Sequence, residues 1–233
     1  MNKVNTKVER MSSAADQAYT RLKQALVAGG YAPGAPLKEE HLARELGLSR
    51  TPVRAALKRL VKDGLAEAEA GRGVRAARWT EADIQETFDL RALLEGRAAE
   101  LAAARAGAAL AERLDELNAR MAVAIEQGGV ERPARLQAIN AEFHHAIVQA
   151  SGSPRLRGLL AGLIDMPIVI RSYFISTPAD LAQSLQHHRD LASAVRAGDA
   201  AIAGQAMRLH LNLAAQRFRQ RRGEFGAPPG GGA

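Results

Sequence analysis

The segment from residue 42 to residue 78 most constrains this chain, because its turn residues divide it into two short helices and a β-ribbon. Gly47 suits the tight turn after the first helix, while Ser49 and Pro52 suit the first turn of the second. Apolar residues then recur at helical spacing and predict an inward-facing stripe. The stripe consists of Val53, Ala56, Leu57, Leu60 and Val61.

The other side of this second helix is cationic, and a glycine-rich ribbon follows it. Asp63-Gly64 ends the helix, and two short strands, 65–70 and 74–77, flank Gly71-Arg72-Gly73. A cationic helix presented by a preceding short helix has the form of a recognition helix for the DNA major groove. With a first helix at 14–28, the segment predicts a winged helix-turn-helix domain.

The charge distribution agrees with a polyanionic partner for this part of the chain. Residues 1–79 hold 15 Lys and Arg against 8 Asp and Glu, whereas residues 80–233 hold 17 of each sign. The entire formal excess of +7 therefore belongs to the N-terminal third. A basic domain followed by a neutral one indicates a polyanion binder attached to a domain with another task.

Composition excludes several classes of protein. The chain has no cysteine, so disulfides, thiolate metal sites and cysteine nucleophiles are ruled out. It has no run of about 18 apolar residues and no apolar N-terminal leader. We therefore expect a soluble cytoplasmic protein without a membrane partner.

Beyond Trp79 the pattern is almost entirely helical, with Gly, Pro or capping signals between amphipathic runs. The predicted helices are 81–105, 108–127, 132–151, 154–175, 178–197 and 199–222. Short connections between long helices indicate an antiparallel six-helix bundle. The expected division is a disordered arm at 1–13, the DNA-binding domain at 14–79, an all-helical effector-binding and dimerisation domain at 80–222, and a disordered tail at 223–233.

Both parts resemble one bacterial family. The motif LARELGLSRTPVRAALKRLVKDGL, with its Gly-Arg-Gly wing, resembles the winged-helix domain of GntR-family transcription regulators. DLRALLE at 89–95, NAEFHHAI at 140–147 and the segments around His188 and His210 resemble the effector domain of the FadR-type branch, called FCD. The resemblance covers nearly all of residues 14–222 and implies a mainly α-helical regulator of two domains.

The resemblance implies a set of residues at the DNA. Arg54 can reach guanine O6 and N7 with two hydrogen bonds, and Ser49 and Thr51 suit phosphate oxygens. Arg72, between two glycines, can enter a narrow minor groove. The full candidate set is Arg44, Ser49, Arg50, Thr51, Arg54, Lys58, Gly71, Arg72 and Gly73.

Three histidines and an asparagine form a candidate metal site. Asn140 and His144 share a helix face at i, i+4, and His188 and His210 come from two other helices. Taken alone, the residues favour core histidines bonded to one another or to water. The resemblance implies that they hold a metal. Asn140 stands where many members carry Asp, so a transition ion, zinc or nickel, fits better than magnesium or calcium.

Arg91 lies on an apolar stripe of its helix and needs a partner there. Glu95, one turn further along, is one option. A carboxylate effector held by two hydrogen bonds while it also binds the metal is the other. Arg171 and Tyr173 are further candidates for the wall of an effector pocket.

These observations predict a transcription regulator, a repressor, acting as a homodimer on a two-fold symmetric operator under the control of a small organic acid. Two alternatives stay open. One is a metal-free sensor of an acyl-CoA-type ligand within the same family. The other is a metal-dependent enzyme with a DNA-binding module, although the chain lacks the common hydrolase and phosphate-loop motifs.

Overall fold

The computed structural model describes residues 13–164, 166, 169 and 172–221. The predicted disorder at the two ends of the chain falls almost wholly outside that part. Contacts between residues divide the chain into two compact units, Met1–Arg78 and Trp79–Ala233. The described residues are mainly helical, as predicted.

The first unit is a winged helix-turn-helix. Its elements are α1 (Ala14–Val27), α2 (Glu39–Leu46), α3 (Arg50–Lys62), β1 (Ala66–Glu69) and β2 (Gly73–Ala76). The strands pair antiparallel, with Ala66 opposite Ala76 and Glu69 opposite Gly73. Gly47 ends α2 with φ 68° and ψ 30°, a left-handed conformation that glycine adopts at low cost. Leu22, Leu57 and other apolar residues of the three helices fill the core.

The second unit is a helical bundle. Its helices are α4 (Glu81–Gln127), α5 (Arg132–Ala150), α6 (Pro154–Leu160), α7 (Pro178–Arg196) and α8 (Ala200–Gln220). Thr80 begins α4 with a capping box, in which Thr80 and Asp83 bond each other's backbone N–H groups. Thr177 and Asp180 do the same for α7. The core lies between α4, α5, α7 and α8 and includes Phe143.

The predicted break between the first two bundle helices is present at Gly107. Its φ of 41° and ψ of −123° are not helical, and they separate two long helical halves of α4. Residues other than glycine rarely adopt this backbone conformation.

The predicted helix at 154–175 is wrong. The regular helix α6 ends at Leu160, and turns follow at 161–164. Gly158, Gly162 and Pro167 in this stretch have the lowest helix propensities, which the apolar periodicity concealed. Val61 also differs from expectation, since it is only half-buried. Within the described ranges, no helix has the length and apolar character needed to cross a membrane.

Candidate functional site

The first candidate site is the surface of α2, α3 and the wing. Every residue of the predicted DNA-binding set is exposed, namely Arg44, Ser49, Arg50, Thr51, Arg54, Lys58, Gly71, Arg72 and Gly73. Arg50, Arg54 and Lys58 repeat at every fourth position of α3 and share one side of it, which we call the cationic face. Ser49 precedes α3 as its N-cap, but its hydroxyl makes no capping hydrogen bond.

Two half-buried acids bind the arginines of this surface. Glu39 of α2 accepts hydrogen bonds from Arg54, with Nε–Oε1 and Nη2–Oε2 distances of 2.8 Å each. In the wing, Glu69 accepts from Arg72 Nη1 at 3.0 Å and from Arg75 Nε at 2.6 Å. The sequence interpretation did not single out either acid. Glu39 and Arg54 lie on different helices, and Glu69 lies in the β-ribbon, so helical periodicity does not relate either acid to its arginine.

Arg59 belongs to a different surface of α3. Its Nη1 lies 2.6 Å from Asp16 of α1, and its guanidinium carbon lies 4.1 Å from the centre of the Tyr19 ring. It therefore contributes to the packing of α1 against α3 and is not part of the cationic face.

The second candidate site is inside the helical bundle, where three buried imidazoles converge. His144 of α5, His188 of α7 and His210 of α8 form what we call the histidine cluster. One nitrogen from each ring lies within 4.8 Å of the others, an arrangement that could hold a metal ion. Phe143 stacks on His188 with ring centres 3.9 Å apart and fixes that imidazole in place.

The polar atoms of the cluster fit a metal ion because they lack other partners. His144 Nε2, both ring nitrogens of His188, His210 Nδ1 and Asn140 Oδ1 are buried without a hydrogen bond among the described residues. Burial, reinforced by the neighbouring imidazoles, holds the pKa of His188 and of His210 well below the usual range. These rings are therefore neutral and carry the lone pairs that zinc and nickel accept.

A buried chain of charges joins the cluster to Arg91. Glu95 accepts a hydrogen bond from Arg91 Nε at 2.6 Å through one oxygen, and its other oxygen contacts His144 Nδ1. Burial alone would raise the pKa of the Glu95 carboxyl, but Arg91 and His144 outweigh burial and lower it to about 2. An ionised carboxylate cannot donate, so Nδ1 of His144 carries the hydrogen in this contact, which leaves Nε2 as the ring nitrogen available to a metal ion.

A small cavity lies beside this chain. Its lining includes Arg91, Asn140, His144, Tyr173, His210 and Arg217. The space open to the centres of water-sized molecules is about 40 Å³, room for a few waters. Arg91 Nη2 is buried without a hydrogen-bond partner in the described part of the chain.

Of the two further effector candidates, Tyr173 lines the cavity, while Arg171 lies outside the described residues. Burial raises the pKa of the Tyr173 hydroxyl, which keeps it protonated. The half-buried Arg217 of α8 adds a cation that sequence reasoning missed. The sequence named Glu95 only as a partner for Arg91. Its contact with His144 joins positions 49 residues apart, beyond the reach of helical spacing.

Comparison with known proteins adds family models for both units. Residues 14–75 match the model described as bacterial regulatory proteins, gntR family. Residues 86–213 match the FCD domain. The two matches lie in the first and second compact units, respectively.

Relatives match across most of the chain. A probable D-xylose utilization operon transcriptional repressor of Paenarthrobacter nicotinovorans is 32% identical over 187 residues, covering 79% of this chain and 80% of that protein. The HTH-type transcriptional repressor GlaR of Escherichia coli K12 is 31% identical over 204 residues, covering 83% and 90%. The structure of E. coli McbR/YncC superimposes with a TM-score of 0.67 at 27% identity, covering 90% of this chain and 99% of that one.

Proposed function

This chain belongs to the GntR family of bacterial transcription regulators, with an FCD domain as its second unit, and from that premise we propose that it is a metal-containing repressor controlled by a small carboxylate. Membership makes it a DNA-binding regulator and removes the enzyme alternative. The observation that carries the proposal is the set of unpartnered buried donor atoms on Asn140 and the histidine cluster beside Arg91.

His144, His188 and His210 would hold the ion, and Asn140 would offer a neutral oxygen. Such an ion supplies a Lewis-acidic position for a carboxylate oxygen, and nitrogen-rich ligands favour zinc or nickel. Elemental analysis of protein purified without added metal should find about one transition ion per chain. His144→Ala and His210→Ala should each remove it, whereas His187→Ala, on a half-buried neighbour, should not. Unchanged metal content in both cluster variants contradicts the site.

Arg91 is the proposed anchor for the effector. Glu95 occupies its Nε, and the unpartnered Nη2 is available to a carboxylate that also reaches the ion. The small cavity favours a compact acid over a ligand of acyl-CoA size. Arg217 and Tyr173 would contribute a second cation and a hydroxyl to its wall.

A thermal-shift screen of sugar acids, hydroxy acids and dicarboxylates tests the effector class. A binding acid should raise the melting temperature of the metal-loaded protein, and Arg91→Lys should reduce that shift because lysine keeps the charge but cannot form a forked pair. The same acid should weaken operator binding in a fluorescence anisotropy titration, since a ligand that favours one conformation alters affinity at the other site. An acid that stabilises the protein without changing operator affinity argues against it as the effector.

For the DNA, we propose that the cationic face enters the major groove and the wing glycines approach the minor groove. Arg50, Arg54 and Lys58 would meet bases and phosphates, while Arg72 would lie at the wing tip.

A homodimer would place two such faces on a two-fold symmetric operator. Leu93 of α4 and Leu209 of α8, 65% and 52% exposed, offer apolar surface for the dimer. Sedimentation should give the mass of two chains, and Leu93→Glu with Leu209→Glu should lower it.

A further inference from the structure

Glu39 is an acid in the middle of a surface that is otherwise built for a polyanion. It is the first residue of α2, and its carboxylate faces α3. The pair with Arg54 is forked, with Nε–Oε1 and Nη2–Oε2 distances of 2.8 Å each. Arg50 Nη2 lies 4.0 Å from the same carboxylate.

Glu39 remains ionised in this setting. Its hydrogen bond with Arg54, and the charges of Arg54, Arg50 and Lys58, together hold its pKa below the usual range. All three cations of the cationic face therefore interact electrostatically with this one carboxylate. A negative charge at this place repels phosphate and lowers affinity for every DNA sequence alike.

The geometry of the pair explains what such a charge can contribute. Glu39 binds the Nε and Nη2 edge of the Arg54 guanidinium. The other edge, formed by Nη1 and the second hydrogen of Nη2, takes no part in this pair and is suited to the O6 and N7 of guanine. Arg54 is long and 56% exposed, so without Glu39 it would sample many rotamers.

We infer that Glu39 is a positioning residue for sequence recognition, which holds Arg54 by one edge so that the other meets a guanine in a fixed orientation. The inference rests on the base-reading role proposed for Arg54. Two effects follow: less side-chain entropy is lost on correct binding, and non-specific binding is weakened by the added negative charge. Both raise the ratio of specific to non-specific affinity.

The test compares two variants that remove the same charge from the same helix. Glu39→Gln is the test variant, and Glu40→Gln, on the adjacent exposed acid, is the matched control. The probes are a duplex selected by the wild-type protein from a random pool, its single-base variants, and a scrambled duplex. Fluorescence anisotropy gives each affinity, and thermal melting verifies that each variant is folded.

Glu39→Gln should lower the specific-to-scrambled affinity ratio about 10-fold and reduce the base preference at one guanine per half-site, as expected when one forked base contact is no longer oriented. Glu40→Gln should change both affinities together and leave the base preferences as they are. Glu39→Asp, which keeps the charge but shortens the side chain, should retain weak non-specific binding while losing base preference. This second variant separates charge from positioning.

Three results overturn the inference: equal effects of Glu39→Gln and Glu40→Gln, an unchanged affinity ratio in Glu39→Gln, or full base preference in Glu39→Asp. Arg54→Ala distinguishes the source of a failure. If Arg54→Ala removes the base preference and Glu39→Gln does not, the positioning role alone is wrong. If Arg54→Ala preserves every base preference, Arg54 does not read a base, and the positioning role of Glu39 is wrong as well.

Discussion

The two units of this protein use ionic pairs in opposite settings. In the DNA-binding unit, Arg54 and Arg72 are exposed, and each lies against an exposed or half-buried acid. In the helical unit, Arg91 and Glu95 are 1% and 0% exposed and are joined to an equally buried histidine. A duplex binds from outside, so its recognition groups can remain hydrated. A small ligand surrounded by helices requires polar groups that are already desolvated before it arrives.

The difference predicts unequal costs for breaking the two kinds of pair. Arg91→Met leaves the Glu95 carboxylate buried without its main counter-charge, and we expect the free energy of unfolding to fall by about 3–5 kcal/mol. Arg97→Met removes the exposed partner of Glu100 from the same helix and should cost about 0–1 kcal/mol. Urea denaturation of the metal-free variants measures both values. Similar losses of unfolding free energy for the two substitutions would contradict the distinction between buried and exposed ionic pairs.

For affinity to DNA, in contrast to stability, we expect an exposed arginine to matter most. Arg54→Ala should weaken operator binding by about 1–3 kcal/mol through loss of a forked base contact, and should leave metal content unchanged. Arg59→Ala, on the side of α3 that packs on Asp16, serves as the control. It should affect stability more than operator affinity. Anisotropy titrations at fixed salt give the affinities, and an equal loss for both arginines would contradict the assignment of the cationic face.

A substitution of Glu95 tests whether this buried acid tunes the proposed metal site. Glu95→Gln keeps the shape of the side chain but removes the charge that orients His144, so metal affinity should fall about 10- to 100-fold. Glu100→Gln, on an acid of α4 outside the cavity lining, should leave the affinity unchanged. Competition with a coloured chelator reports the affinity. Equal metal affinity in the Glu95 and Glu100 variants would show that Glu95 serves the fold alone.

The smallest predicted difference is in stability, between substitutions of two hydroxyl residues that precede helices, Thr80 and Ser49. The Thr80 hydroxyl accepts a hydrogen bond from the Asp83 backbone N–H, so Thr80→Ala should lower the free energy of unfolding by about 1 kcal/mol. The Ser49 hydroxyl caps nothing, so Ser49→Ala should cost less stability and should weaken DNA binding through a lost phosphate contact. Thermal melts together with anisotropy separate the two effects, and a larger stability loss for Ser49 would reverse this account.

Sequence rules predicted those features of the fold that depend on residues close together in the chain. The turn at Gly47, the capping box of Thr80 and the break at Gly107 all follow from residues within a few positions of one another. Long apolar periodicity predicted the bundle, but it also predicted one continuous helix over 154–175, whereas the regular helix α6 ends at Leu160.

The sites divide in the same way. The convergence of His144, His188 and His210 came from the family resemblance, because spacing relates only Asn140 to His144. The Glu95–His144 and Glu39–Arg54 contacts join separate helices, and each depends on how those helices pack. No pattern in a single sequence encodes such a contact directly. The sequence could offer Glu95 as a partner for Arg91 on the same helix, but it could not pair an arginine with an acid of another helix.

The histidine cluster also has a consequence for the order of events during synthesis. The first unit ends at residue 78, but the last imidazole of the cluster belongs to residue 210. At bacterial elongation rates, on the order of ten seconds separate these two points on the ribosome. During that interval a nascent chain carries a complete DNA-binding sequence and an incomplete histidine cluster. Newly made molecules therefore pass through a stage at which the sequence of the DNA-binding unit is complete and the proposed effector site is not.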